Sequence, residues 1–208
     1  MAARQKDAQA ASLSQRANEL LAAGDYQGAI ELYQKALSLT PDDEDLHYNL
    51  GLAYGKAGSI TNAENHYREA LRLLPDYPEV KNNLGNLLLN SGRIAEAEVL
   101  LTEAINLEPR YAIAHNNLGI VRQRQHRLAE ALESFQNVVR YDSNYWEGHF
   151  NLGKACLLAG DKTNAILELR EALRLNPGFV PAENSLKKAL EREAVQAISR
   201  PKGDNATQ

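Results

Sequence analysis

The sequence predicts an all-α fold in which similar pairs of helices are stacked one after another. Apolar residues are spaced by three and four over residues 46–57 and again over 61–73, which indicates two amphipathic helices. A 34-residue period repeats this arrangement and places an asparagine followed by Leu-Gly at Asn49, Asn83, Asn117 and Asn151. A fixed period of this length is typical of repeats that bury their apolar faces only against their neighbours.

The residues that end the helices also recur. Gly58 lies between the two helices of its period, where it can supply the left-handed backbone that ends the first helix. Pro75 cannot continue the second helix, and Asp76, or Asp42 in the preceding period, is expected to cap the helix that follows.

Small and large residues recur at fixed positions of the 34-residue period, and this pattern predicts how the helices pack. In the second period, Gly51 and Ala63 would let the two helices approach closely, and Tyr67 would fill the space between neighbouring pairs. The same pattern places alanine at Ala29, Ala63, Ala97, Ala131 and Ala165, a large residue at Tyr33, Tyr67, Leu101, Phe135 and Leu169, and proline at Pro41, Pro75, Pro109 and Pro177.

With its Leu-Gly pair, alanine, large residue and terminal proline, this period matches the tetratricopeptide repeat signature. The chain resembles the tetratricopeptide repeat (TPR) family over five repeats, about residues 10–177. The resemblance implies a right-handed α-solenoid, a superhelix of antiparallel helix pairs whose first helices line a concave wall. The expected boundaries are a polar N-terminal segment at 1–9, repeats at 10–43, 44–77, 78–111, 112–145 and 146–179, a C-terminal capping helix at 180–198 and a disordered tail at 199–208.

Composition narrows the classes of partner. The net charge is −4 and no basic stripe is present, which argues against nucleic acid. No segment approaches the roughly 20 apolar residues that span a bilayer, so we expect no direct membrane insertion. The N-terminal residues 1–9 are polar and lack the apolar core of a signal peptide, which favours a cytoplasmic location.

Neither a catalytic site nor a cofactor is expected. The chain has no phosphate-binding Gly-rich loop and no nucleophile elbow. His47, His115 and His149 occupy the same place in different repeats, too far apart to share a metal ion, so a packing role is favoured. His66 and His126 lie elsewhere in their repeats. The sequence therefore predicts a protein that is not an enzyme and binds neither cofactor nor metal.

The candidate binding residues follow from the family resemblance. The four asparagines all fall at the sixth position of their repeats, as in the superhelical TPR segments of O-linked N-acetylglucosamine transferases, where an asparagine ladder binds the backbone of an extended peptide. An amide suits this role because it donates and accepts hydrogen bonds without carrying a charge. The predicted peptide-binding residues are Asn49, Asn83, Asn117, Asn151, Asn82, Asn86, Asn116, Tyr48, Leu52, Lys56, Ile120, Arg124, Phe150 and Lys154.

The function that this site predicts is a non-catalytic scaffold that binds extended segments of other proteins. One alternative is a substrate-docking fragment of a larger enzyme such as a glycosyltransferase. Another is a co-chaperone, which is disfavoured because Glu79 would repel the acidic terminus that such proteins bind. A third is that the asparagines only bond neighbouring helices or are inherited from a copied repeat. Self-association through the first repeat, where Leu13 and Leu20 would be partly exposed, is a further expectation about partners.

Overall fold

The computed structural model describes residues 2–199, and the side chains of residues 4–191 within that range. Over residues 2–199 the chain forms eleven α-helices and no strand, which confirms the all-α prediction. The helices are α1 (Ala2–Ala22), α2 (Tyr26–Leu37), α3 (Glu44–Lys56), α4 (Ile60–Leu73), α5 (Pro78–Asn90), α6 (Ile94–Leu107), α7 (Ala112–Arg124), α8 (Leu128–Tyr141), α9 (Trp146–Ala159), α10 (Lys162–Leu175) and α11 (Val180–Ser199).

The helices belong to two compact units, an N-terminal unit (Met1–Pro109) and a C-terminal unit (Arg110–Gln208). In the N-terminal unit the pairs α1–α2, α3–α4 and α5–α6 have the most extensive contacts, and α2–α3 and α4–α5 join successive pairs. In the C-terminal unit the pairs are α7–α8 and α9–α10, with α8–α9 between them and α11 packed on α10. Within each unit, helices that are consecutive in sequence are therefore neighbours in space.

The two helices of a pair approach closely where the first carries glycine and the second a large buried residue. A Cβ atom on Gly51 would lie 2.7 Å from Cδ1 of Tyr67, and one on Gly119 would lie 2.5 Å from Cε1 of Phe135. Both distances are shorter than any van der Waals contact between carbon atoms. The same combination occurs at Gly85 with Leu101 and at Gly153 with Leu169. The repeated glycines predict this close approach, but Tyr67 meets Gly51 within its own pair, whereas the sequence placed it in the space between neighbouring pairs.

The turn between the helices of a pair requires a left-handed residue. Gly58 takes this conformation with φ of 79°. At the equivalent place in the fourth repeat, His126 has φ of 62°, which is uncommon for a residue with a side chain. The turn geometry is therefore kept even where glycine is absent.

The expected helix caps are wrong by one residue. The N-cap of α3 is Asp43, whose carboxylate accepts a hydrogen bond of 2.9 Å from the backbone N–H of Leu46, so Asp42 is not the cap. The residue before α5 is Tyr77 and not Asp76, and its side chain makes no capping bond. Pro78 accounts for this start, because its fixed φ favours the first helical position and an extended residue before it.

The ends of the chain differ from the expected boundaries. Helix α1 begins at Ala2, so residues 2–9 continue the first helix and do not form a separate polar segment. Leu13 and Leu20 are half-buried, which agrees with the expected partial exposure, and they pack against the core between α1, α2 and α3. At the other end, α11 reaches Ser199, the first residue of the expected tail, and residues 200–208 lie outside the described part of the chain.

Among the helices of residues 2–199, none is long and apolar enough to cross a membrane.

The close approach of α3 and α4 predicts opposite effects for two glycines of one helix. Gly51→Ala forces a methyl group onto the buried Tyr67 ring and should lower the free energy of unfolding by about 1–3 kcal/mol. Gly55→Ala is the matched control, since its Cβ would meet no atom closer than 3.9 Å. That substitution should raise the free energy of unfolding by about 0.5–1 kcal/mol, because alanine favours helix over glycine. Urea denaturation measures both, and equal effects would contradict the close contact.

Candidate functional site

The four asparagines that the sequence singles out lie at equivalent places on first helices: Asn49 on α3, Asn83 on α5, Asn117 on α7 and Asn151 on α9. We call these four residues the ladder asparagines. Each precedes the glycine of a close helix contact by two positions. Because residues two apart on a helix are separated by about 200°, each ladder asparagine faces away from the second helix of its own pair.

Two ladder amides bridge to a neighbouring first helix in the same way. In the N-terminal unit, Nδ2 of Asn83 donates a hydrogen bond of 3.1 Å to Oη of Tyr48. In the C-terminal unit, Nδ2 of Asn151 donates one of 2.9 Å to Oδ1 of Asn116. The acceptor lies 35 residues before the donor in both cases, so the two bonds are equivalent in the repeat. Each bond joins two first helices directly and fixes the orientation of the amide.

The ladder amides differ in how much hydrogen-bonding capacity remains. A side-chain amide has two N–H donors and two acceptor lone pairs. Asn83 uses one donor on Tyr48, and its Oδ1 accepts a bond of 3.2 Å from Nδ2 of Asn82. Asn49 is half-buried, and its amide makes no hydrogen bond to any residue that the structure describes. Asn82, Asn116 and Asn117 are buried. Asn49 is therefore the amide with the most capacity for a ligand.

The remaining predicted residues differ in exposure. Lys56, Asn86 and Arg124 are exposed, and Leu52 and Ile120 are half-buried. Ile120 packs against the core cluster around Phe135, so part of its side chain is directed inward. Tyr48, Phe150 and Lys154 are also half-buried. The predicted site thus combines exposed charges with side chains that also contribute to the packing of the repeats.

Sequence reasoning missed a row of aromatic residues that immediately precede first helices. Tyr77 lies 5.3 Å, between ring centroids, from Tyr48 and donates a hydrogen bond of 2.8 Å to Oδ1 of Asp45. Phe179 takes the same place relative to Phe150, at 5.0 Å. The signal was present in the sequence as the 34-residue spacing of Tyr77, Tyr111, Tyr145 and Phe179, but Asp43 interrupts it one repeat earlier.

In the N-terminal unit, a groove of about 440 Å³ lies between α1 and α3. Its lining combines polar and apolar surface and includes three carboxylates. The residues that line it are Asp7, Ala10, Ala11, Ser14, Gln15, Asn18, Thr40, Asp43, Asp45 and Leu46. A basic or uncharged segment fits this lining better than an acidic one.

In the C-terminal unit, α9 presents a stripe of different chemistry. We call Phe150, Lys154 and Leu158, which are spaced by four residues, the α9 stripe. Nζ of Lys154 lies 5.1 Å from the centroid of the Phe150 ring, within cation–π range. Lys154 forms no ion pair with any described residue, and Leu158 is 63% exposed. The stripe therefore places a cation between an aromatic ring and an aliphatic side chain.

His47 and His149 each contact a side chain of their own helix pair and a backbone carbonyl oxygen of the preceding repeat. Nδ1 of His47 lies 3.1 Å from Nδ1 of His66, and its Nε2 lies 3.1 Å from the carbonyl oxygen of Pro41. The sequence did not indicate this contact, because it joins α3 to α4 across 19 residues. His149 makes the corresponding contacts, with Nδ1 2.6 Å from Oε2 of Glu168 and Nε2 3.0 Å from the Ser143 carbonyl oxygen. No group of three or more metal-binding side chains occurs among the described residues.

The two histidine sites have opposite electrostatics. Burial lowers the pKa of His66, and the neighbouring His47 lowers it further. Burial also acts to lower the pKa of His149, but the bonds to Glu168 and the Ser143 carbonyl outweigh it and raise that pKa. The first site therefore favours neutral His66, and the second favours a charged histidine paired with a carboxylate.

The fold and the ladder geometry define a helical repeat protein built from adjacent helix pairs. Three family models match it: "TPR repeat" over residues 17–58, "Tetratricopeptide repeat" over residues 56–118, and a second model described as "Tetratricopeptide repeat" over residues 117–178. The chain therefore carries tetratricopeptide repeats, and proteins of this class bind other proteins. A repeat-only architecture of this kind is typical of non-catalytic scaffolds. A comparison with curated protein sequences gave no match.

Solved structures with the same fold are distant in sequence. Pseudomonas aeruginosa PilF is 20% identical with a TM-score of 0.80, over 96% of this chain and 95% of PilF. A protein described as a thermophilic TPR protein in Thermus thermophilus is 21% identical with a TM-score of 0.70, over 88% of this chain and 99% of that protein. YrrB, described as "a TPR protein with an unusual peptide-binding site", is 23% identical with a TM-score of 0.66, over 84% and 90%. At these identities the likeness establishes the fold alone.

The unequal bonding of the ladder amides predicts unequal effects on stability. Asn83→Ala removes the bond to Tyr48 and should lower the free energy of unfolding by about 0.5–1.5 kcal/mol. Asn49→Ala removes no intramolecular bond to the described residues and should change it by less than about 0.5 kcal/mol. Chemical denaturation of both variants beside the wild type measures the difference. A loss for Asn49→Ala as large as that for Asn83→Ala would show that the Asn49 amide also stabilises the fold.

The His149–Glu168 pair predicts a pH-dependent contribution to stability. Because the folded-state pKa of His149 is raised, the pair's contribution is complete below the ordinary histidine pKa of about 6.5 and is lost as the pH rises through the folded value. His149→Gln should therefore cost more unfolding free energy near pH 5.5 than at about pH 8.5. Glu168→Gln should show the same trend. Glu133→Gln, which alters an exposed carboxylate on α8, is the control, and an equal loss at both pH values would contradict the pair.

Proposed function

We propose that this protein is a non-catalytic scaffold that binds an extended segment of a partner protein along the first helices of its repeats. In this proposal the first helices line the concave wall that the TPR resemblance implies. The ladder asparagines hold the peptide backbone, and the residues around them select its side chains.

The equivalent bonds of Asn83 and Asn151 are the observation that carries this proposal. In each unit the amide is held by one N–H to the preceding first helix, at 3.1 and 2.9 Å. One N–H and at least one lone pair of each amide are then left for a second partner. An amide that is already oriented loses less conformational entropy when it binds a peptide group.

Asn49 supports the same role for a different reason. Its amide has no bond among the described residues, so a packing role does not account for it. The groove of about 440 Å³ between α1 and α3 lies beside the same first helix and is lined by amide and hydroxyl groups, including Ser14, Gln15 and Asn18. Groups of this kind can bind an extended backbone without requiring a particular sequence.

The ladder alone would give weak binding. At roughly 0.5–1.5 kcal/mol for each hydrogen bond, four amides contribute only a few kcal/mol. Micromolar affinity requires about 8 kcal/mol, and association itself costs several kcal/mol. The remainder would come from burying side chains against residues such as Tyr48, Leu52 and Phe150. We therefore expect micromolar affinity, with selectivity set by these flanking residues.

The likeness to YrrB agrees with a peptide as the class of ligand, since that protein is described by its peptide-binding site. The net charge of −4 and the acidic groove favour a protein partner over nucleic acid.

Selection from a random twelve-residue peptide library, followed by fluorescence anisotropy on the enriched peptides, tests this function. Asn49→Ala should weaken binding by about two- to tenfold, which corresponds to one lost hydrogen bond. Asn65→Ala is the matched control, because Asn65 is an exposed asparagine on the second helix α4 of the same repeat. The Asn49, Asn83, Asn117, Asn151→Ala variant should lose binding after its helical content has been verified. No enriched peptide, or equal effects of Asn49→Ala and Asn65→Ala, would reject the ladder.

A further inference from the structure

The surroundings of Asn151 are different on its two sides along α9. Toward the start of the helix lies a group of three aromatic residues, Trp146, Phe150 and Phe179, which we call the aromatic group. The ring of Phe179 lies 4.6 Å from that of Trp146 and 5.0 Å from that of Phe150, and both contacts are edge-on. All three side chains are half-buried, so part of each remains accessible.

Toward the end of α9, Asn151 is followed by the cation of the α9 stripe. Lys154 lies about 4.5 Å further along the helix axis and Leu158 about 6 Å beyond Lys154, at 1.5 Å per residue. The Lys154 side chain is half-buried over the Phe150 ring and forms no ion pair with the described residues. The nearest acidic residue earlier on the same helix is Glu147, about 10 Å away along the axis. A partly desolvated cation in this position favours an external carboxylate.

An extended peptide would meet both sides at once. Successive side chains of an extended chain point in opposite directions. If the backbone crosses α9 at the Asn151 amide, one side chain can pack on Trp146 and Phe179 toward the start of the helix, and the next can reach Nζ of Lys154, which lies 5.1 Å from the Phe150 ring centroid. The two adjacent side chains therefore meet different chemistry, an apolar surface and a cation.

We propose that the C-terminal unit recognises an adjacent pair of residues in the partner segment, one apolar and one acidic. The apolar side chain packs on the aromatic group, and the carboxylate pairs with Lys154. This inference rests on the proposed function, because it takes the peptide backbone to lie on the ladder, and it adds the chemical class of the segment that binds.

The charges of the N-terminal unit support the placement of the acidic residue. The groove between α1 and α3 is lined by Asp7, Asp43 and Asp45, and its lining includes no cation. A carboxylate would be repelled there and attracted at Lys154.

Synthetic peptides test the pair directly on the full chain. The probes are fluorescein-labelled nine-residue peptides with Ser, Thr and Ala flanks and a central Phe-Glu, Phe-Gln, Phe-Lys or Ala-Glu, together with the reversed pair Glu-Phe. With wild-type protein, Gln in place of Glu should weaken binding by about three- to tenfold, and Lys in place of Glu by more than about tenfold. Ala in place of Phe should also weaken it by about tenfold or more.

Charge exchange assigns the effect to Lys154. Lys154→Glu should reverse the preference, so that the Phe-Lys peptide binds better than the Phe-Glu peptide. Arg170→Glu is the matched control, because Arg170 is exposed on the second helix α10 of the same repeat, and this variant should keep the wild-type preference. Circular dichroism verifies that both variants are folded, and the wild-type comparison of Glu with Gln remains decisive if either is not.

The outcomes separate this inference from the function on which it rests. Equal binding of the Phe-Glu and Phe-Gln peptides to wild type, or an equal effect of Lys154→Glu and Arg170→Glu, overturns the pair. So does a failure of all these peptides when library-selected peptides bind. Asn151→Ala should weaken every peptide by a similar factor. If neither the synthetic nor the library-selected peptides bind, the proposed function itself is rejected.

Discussion

The contact between a glycine and a large side chain, which occurs in four of the helix pairs, is the constraint on which their packing depends. At Gly51 and Tyr67 the two helices approach so closely that a Cβ atom would lie 2.7 Å from the ring. This contact fixes the rotation of the first helix about its axis. Because Asn49 precedes Gly51 by two residues, the same rotation turns Asn49 away from the second helix. The glycine thus sets the packing and also the face on which the amide is presented.

The sequence was sufficient for features that depend on a residue type recurring in most repeats. The helix pairs, the glycine contacts and the left-handed turns all follow from the period, and even His126 keeps its turn with φ of 62°. It was not sufficient for contacts that depend on side-chain conformation across helices. The bond from Asn83 to Tyr48 and the pairing of His47 with His66 join residues 35 and 19 positions apart, and no local pattern indicates them.

Packing and ligand binding are not exclusive roles for an amide. The bonds of Asn83 and Asn151 show that two ladder asparagines do bond neighbouring helices, one of the alternatives that the sequence left open. Each of these bonds uses one of two N–H groups. An amide held by one N–H has a fixed plane, so its second N–H points in a fixed direction. The bond to the neighbouring helix would therefore preorganise these amides for a ligand. Asn49 has no such bond, so its amide would become ordered only when a ligand binds.

The repeated framework also shows where selectivity can arise. The fifth, ninth and thirteenth positions of a first helix form one stripe, which is Tyr48, Leu52 and Lys56 on α3 and the α9 stripe on α9. Both stripes hold an aromatic, an aliphatic and a cationic residue, but in a different order. Lys56 is exposed at the end of its helix, whereas Lys154 is half-buried in the middle of its own. Since water screens an exposed charge far more than a half-buried one, a carboxylate would be distinguished from an amide more strongly at Lys154 than at Lys56. If a peptide binds along these helices, the order of residues within an equivalent stripe would therefore be enough to give two repeats different specificities.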